Sequence, residues 1–146
     1  MNDFIALLKL MKEKEASDLH LKVGRKPIFR IRKDLIEVEE WDNTLTKEDI
    51  AKILDMIMLP FQKEVFFEKR EYDFAYDNPE VGRYRVNAFF QRGNVGLVLR
   101  RIKTEIPSFE ELNLPKVLEK ISLFPDGLIL VTGPTGCCLL YTSPSP

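Results

Sequence analysis

The chain has little from which to build a covalent staple or a metal centre: its only two cysteines, Cys137 and Cys138, are adjacent, and His20 is its single histidine. Neighbouring cysteines cannot clip a loop, and without spaced Cys/His pairs no metal site is expected. No apolar run approaches the about 20 residues of a membrane-spanning helix. The opening MNDFIALLKLMKEKEASD has neither the basic start nor the small-residue cleavage site of a secretory signal. An excess of one charge is missing too: 22 Lys+Arg against 23 Asp+Glu leave a net −1 at pH 7, so nothing draws the whole chain to nucleic acid or anionic lipid. The expectation from these absences is a cytoplasmic protein with no transmembrane segment and no nucleic-acid partner.

What is present suffices for an ordinary domain: 146 residues, 45% of them hydrophobic. Asn2 or Asp3 can cap a first helix in which Phe4, Leu7, Leu8 and Met11 recur at helical spacing. Residues 17–23 alternate, with Leu19, Leu21 and Val23 on one face and Asp18, His20 and Lys22 on the other. A turn at Gly24 to Pro27 leads into Ile28 to Ile31, which predicts a hairpin. Thr46 with Asp49 three residues on opens a second helix that buries Ile50, Ile53, Leu54, Ile57 and Met58, and a shorter helix runs from Phe61 to about Arg70. Three alternating strands follow, around Tyr72 to Tyr76, Tyr84 to Phe90 and Val95 to Leu99. The economical fold is α/β, an antiparallel sheet packed by helices over residues 1–105. Residues 106–125 read as a linker with short helices, in which Ser108 and Glu111 form a capping box.

At residue 126 the character changes. Asp126-Gly-Leu-Ile-Leu-Val-Thr-Gly-Pro-Thr-Gly136 has the form of a buried parallel strand running into a phosphate-binding loop. Such a loop requires G-x-x-x-x-G-K-[ST], with backbone N–H groups around the phosphates, a lysine reaching the outer ones and a hydroxyl on magnesium. Gly133, Pro134, Thr135 and Gly136 begin it, but the second glycine, the lysine and the hydroxyl fall on Cys138, Leu139 and Leu140.

Five segments stand here in a telling order: Ala16-Ser-Asp-Leu-His-Leu21, Gly82-Arg-Tyr-Arg-Val-Asn-Ala-Phe89, Val98-Leu-Arg-Arg-Ile102, Ile106-Pro with Glu110-Glu-Leu112, and Gly127 to Gly136. Over residues 1–136 the chain resembles the N-terminal part of the PilT/PilU type IV pilus retraction ATPases. Because its first helix starts at Met1, it resembles a retraction motor more than the extension or type II secretion ATPases of that superfamily. The resemblance implies a PAS-like N-terminal domain at 1–105, a linker at 106–125, and at 126–136 the first strand and partial P-loop of a truncated RecA-like domain. For the full-length parent it implies a homo-hexamer that binds ATP and Mg²⁺, lies at the inner membrane beside the pilus machinery, and drives pilus retraction and twitching motility. Family members continue the loop as SGKST, from which this chain departs after Gly136. The alternative is a free-standing PAS-like interaction or sensor module with no ATPase domain.

The tail has its own reading. Cys138-Leu-Leu-Tyr-Thr-Ser-Pro-Ser-Pro146 matches the translation of TGT CTC TTA TAC ACA TCT CCG AGC CCA, a transposase adapter used in sequencing libraries. Residues 137–146 are therefore expected to be non-native, and the fragment to carry no cofactor and no catalytic residue of its own.

Arg83 and Arg85 leave their strand on the face opposite Tyr84 and Val86, and Arg100 lies on the predicted neighbour. Three planar guanidiniums suit phosphate, and the resemblance implies that such arginines face nucleotide bound to the ATPase domain, Arg85 and Arg100 foremost. The alternative is a solvated face whose arginines pair with Asp or Glu. Asp18 and His20 share the polar face of the first strand and are candidates for an inter-subunit or inter-domain box, against an ordinary structural role for a lone histidine.

Overall fold

The computed structural model describes residues 3–103, 107–130 and 132. The chain divides into two compact units, Met1–Glu105 and Ile106–Pro146. In the first unit, helix α1 (Phe4–Glu13) is capped by Asp3, whose side chain accepts from the Ile5 N–H at 3.1 Å. Strands β1 (Asp18–Lys22), β2 (Ile28–Ile31) and β3 (Asp34–Glu37) form a meander. Helix α2 (Lys47–Ile57) starts at the Thr46/Asp49 capping box and α3 (Pro60–Lys69) follows it at once. Strands β4 (Glu71–Asn78), β5 (Gly82–Gln91) and β6 (Asn94–Ile102) complete one antiparallel sheet of order β3-β2-β1-β6-β5-β4.

Alternation decides which side of the sheet is covered. Leu19, Leu21, Phe29, Phe74, Tyr84, Val86, Ala88, Leu97 and Leu99 share one parity and are buried in a single core with Leu7, Leu8 and Met11 of α1 and Ile50 and Ile53 of α2. Tyr84 is fully buried and its hydroxyl donates to the Val81 carbonyl at 2.9 Å, so no polar atom is stranded there. The other parity contributes none of the sheet's buried hydrophobic residues and forms an open face of the first unit.

This is the α/β architecture expected from the alternation, with two additions. Strand β3 was not foreseen: Asp-Leu-Ile-Glu has no alternation to read, because at the sheet edge Leu35 and Ile36 are both about half exposed. The connection after β3 buries Val38, Trp41 and Leu45 without helical or strand periodicity, which hid it from a pattern search.

In the second unit, Ser108 and Glu111 exchange the bonds of a capping box, Glu111 N–H to Ser108 Oγ at 3.2 Å and Ser108 N–H to Glu111 Oε2 at 2.8 Å. Helix α4 (Val117–Ser122) follows and buries no residue. Leu128 to Leu130, read as a strand, pair with no strand among the described residues and stand well exposed. The remaining apolar residue of that segment, Val131, and the loop Gly133 to Gly136 lie outside the described residues.

Candidate functional site

The open face carries the candidate side chains, and strand register fixes which of them meet. Arg85 on β5 stands directly opposite Arg100 on β6, Arg100 opposite Asp18 on β1, and Asp18 opposite Arg30 on β2. Four adjacent strands therefore contribute one lateral row, Arg30-Asp18-Arg100-Arg85, at intervals of about 5 Å. Asp18 is the anchor of that row. It is only 3% exposed, and it accepts from Arg100 Nε at 2.8 Å and Ser17 Oγ at 2.8 Å while Arg30 Nε stands at 3.5 Å. Burial alone would raise its pKa. The hydrogen bonds from Arg100 and Ser17, with the charges of Arg100 and Arg30, outweigh burial and hold the carboxyl below its ordinary value.

At the end of the row, Arg85 Nε is 3.6 Å from Asp73 on β4, both side chains being more than half exposed. Arg83 stands in the next rank, between Asp77 and Ile102. The structure thus brings Arg85 and Arg100 together and leaves Arg83 one rank away. It also gives Arg85 and Arg100 aspartate partners, the arrangement of a solvated ionic face, while leaving much of each guanidinium open. The exposed Arg85 guanidinium, with one edge on Asp73, keeps donors for a second anion.

His20 occupies the adjacent rank, between Ile28 and Val98. Its Nε2 is buried without a hydrogen-bond partner. Burial is the main cause that pulls its pKa below the ordinary value, opposed by Asp18 and assisted by Arg30, Lys22 and Arg100. Sequence reasoning put Asp18 and His20 on the polar face, and that is the face they occupy; what it missed is that Asp18 is buried and that Arg30 joins the row. Only the β1–β2 register pairs Asp18 with Arg30, a pairing that hairpin turn length could have suggested. Among the described residues no group of three or more His, Cys, Asp or Glu could hold a metal ion, and no helix is long and apolar enough to cross a membrane.

No protein-family model matches the chain. It is 40% identical over 134 residues to the type IV pilus ATPase PilU of Pseudomonas aeruginosa, an alignment covering 92% of this chain and 35% of the relative. It is 37% identical over 134 residues to the type IV pilus retraction ATPase PilT of the same organism, covering 92% of this chain and 38% of that one. Among solved structures, the pilus retraction motor PilT with bound ADP superposes with a TM-score of 0.78 at 34% identity, over 92% of this chain and 39% of that chain. The chain therefore spans little more than a third of the length of the curated relatives it matches.

Proposed function

Because this chain is a PilT/PilU-like sequence over 134 of its residues, we propose that it carries the N-terminal portion of an ATP-driven motor for type IV pilus retraction. The parent works as a hexamer beside the pilus machinery at the inner membrane. The observation that supports this reading from within the chain is the Arg30-Asp18-Arg100-Arg85 row. Arg85 and Arg100 stand in register on neighbouring strands, with Asp18 fixing one of them, so two planar donors present to the same side of the sheet. Phosphoryl transfer depends chiefly on positioning and on neutralising charge over the phosphate oxygens, which is the work such guanidiniums do. Asp18 acts here as a positioning residue. Arg83 is a third, more distant nucleotide-facing donor, and Asp18 with His20 meets a neighbouring domain or subunit.

The chemistry of the loop itself does not fit a complete nucleotide site. Gly133, Pro134, Thr135 and Gly136 supply the start of a phosphate cradle, but Leu139 and Leu140 replace the lysine and the magnesium-binding hydroxyl. No step of ATP hydrolysis can be written for this sequence. We take residues 137–146 as adapter-derived and the P-loop of the parent as intact. The ATPase names of the relatives support this reading over a free-standing sensor module.

The test is the native gene. Its reading frame should continue beyond Gly136 into SGK[ST], and a genomic frame running through LLYTSPSP would refute the motor reading. In the completed protein, Arg85→Ala and Arg100→Ala should each lower kcat by about a thousandfold with nucleotide still bound. The loop of the 146-residue chain should show no saturable micromolar ATP binding, read as ATP-dependent amide shifts over residues 127–136.

A further inference from the structure

The sheet has a second concentration of positive charge at the opposite end of β1 from Asp18. Lys22 lies four residues further along that strand, about 13 Å away at the usual rise, too far for one phosphate group to touch both places. Here the β1–β2 turn and the β5–β6 turn sit side by side, because Lys22 pairs with Gly96. Between them is a cleft of about 340 Å³ lined by Lys22, Arg25, Gln91, Arg92 and Asn94, together with two valines and a glycine. No carboxylate lines it. Arg25 and Arg92 make no ion pair among the described residues.

Both turns are braced. Gly24 N–H donates to the Leu45 carbonyl at 2.8 Å and Leu45 N–H returns a bond to the Arg25 carbonyl at 2.9 Å, so the buried Leu45 ties the Arg25 turn to the core. Arg92 and Gly93 both have positive φ, +52° and +76°, the backbone of a tight two-residue hairpin whose twist matches the strands. Lys22 Nζ donates to Gln91 Oε1 at 3.2 Å, joining the two turns. The Asn94 Oδ1 is buried without a partner and, as an acceptor, contributes nothing to holding an anion. Three cations on two fixed turns, with no carboxylate among them, form a cradle for a multiply charged oxyanion.

We propose that this cleft binds the phosphate group of a soluble small molecule, with Arg25 and Arg92 as its principal ligands and Lys22 as the third cation. The inference is independent of the motor reading. The test uses the full 146-residue chain, isotope-labelled, titrated with inorganic phosphate and with pyrophosphate at ionic strength held constant with chloride. Saturable amide shifts should be confined to residues 22–25 and 91–96, and pyrophosphate should bind more tightly. Arg25→Ala with Arg92→Ala should weaken binding by at least about tenfold, while the rest of the spectrum stays superimposable; Arg92→Lys should restore part of it. Shifts that fail to saturate, that appear equally at Arg83 and Arg85, or that persist in the double variant would overturn the proposal. So would binding seen only to vesicles of phosphatidylcholine doped with phosphatidic acid, since that pattern reports a lipid surface.

Discussion

Asp18 and Arg100 face each other across β1 and β6, Asp18 Oδ1 accepting from Arg100 Nε at 2.8 Å, with the aspartate side chain 5% exposed and the arginine side chain 69% exposed. The pair is asymmetric: removing the arginine leaves a buried carboxylate short of a partner, whereas removing the charge on Asp18 lets the arginine return to water. Arg30 and Ser17 remain on Asp18 in either case. Arg100→Ala should therefore raise the Asp18 pKa, measurable by carboxyl NMR.

Asp18→Asn should cost about 1–2 kcal/mol in urea unfolding near pH 7, a value kept low because Arg100 is largely in solvent. The sign with pH follows from the depressed folded pKa. The stabilisation is present above the unfolded value of about 3.9 and disappears as pH falls through the lower folded value. The difference in midpoint between the parent and Asp18→Asn should shrink over that acid window, and a difference independent of pH would contradict an ionic origin.

His20 makes a separate prediction at milder pH. It is the single histidine, and its folded pKa lies below the ordinary value chiefly through burial, with Asp18 and Lys22 on its own strand and Arg30 and Arg100 on the flanking ones setting the local charge. For a base whose folded pKa is depressed, the unfolded chain takes up the proton first. Stability is complete above the unfolded value of about 6.5 and falls as pH drops toward the folded value. His20→Gln should flatten the urea midpoint between about pH 7 and pH 5.5; a slope that survives the substitution would assign it to another group.

How much of this was legible depends on whether a residue's neighbours are local. Helices α1 and α2 announce themselves because Leu7, Leu8 and Met11, and Ile50, Ile53 and Leu54, repeat at the helical period and are the residues buried. Strands β4 to β6 are legible for the same reason at period two. Trp41 and Leu45 are buried from an irregular segment, where no period exists to reveal them. The candidate site was legible as a set of arginines on one face, but the row itself was not. Arg85 opposite Arg100 spans 15 residues of sequence and Asp18 opposite Arg100 spans 82, so only strand order and register disclose it.

Gly96 exposes a packing constraint on the same face. It stands opposite Phe89, and a Cβ built on it would lie 2.8 Å from the Phe89 ring. The ring covers the glycine and closes the gap that a missing side chain leaves in the sheet. Gly96→Ala must therefore displace Phe89, at about 1–3 kcal/mol. Phe89→Leu should be mildly destabilising alone and should recover much of that loss in the double variant. A double-mutant cycle by chemical denaturation measures the coupling, and additive effects would mean that the ring moves aside freely.

Helix α3 is held by one contact more than any other. Phe66 is its single fully buried residue and stacks on Phe90 of β5 at 5.1 Å between ring centroids, while Phe61 and Phe67 on the same helix are more than half exposed. The helix has its own start signal, since Gln62 Oε1 accepts from the Leu59 N–H at 2.9 Å, but that end effect cannot dock it on the sheet. Phe66→Ala should cost about 3–5 kcal/mol globally. Its local signature is more informative: amide exchange along α3 should accelerate well beyond that in α1, whose four buried residues anchor it independently. Equal acceleration in the two helices would show that α3 unfolds only with the whole domain and has no separate opening of its own.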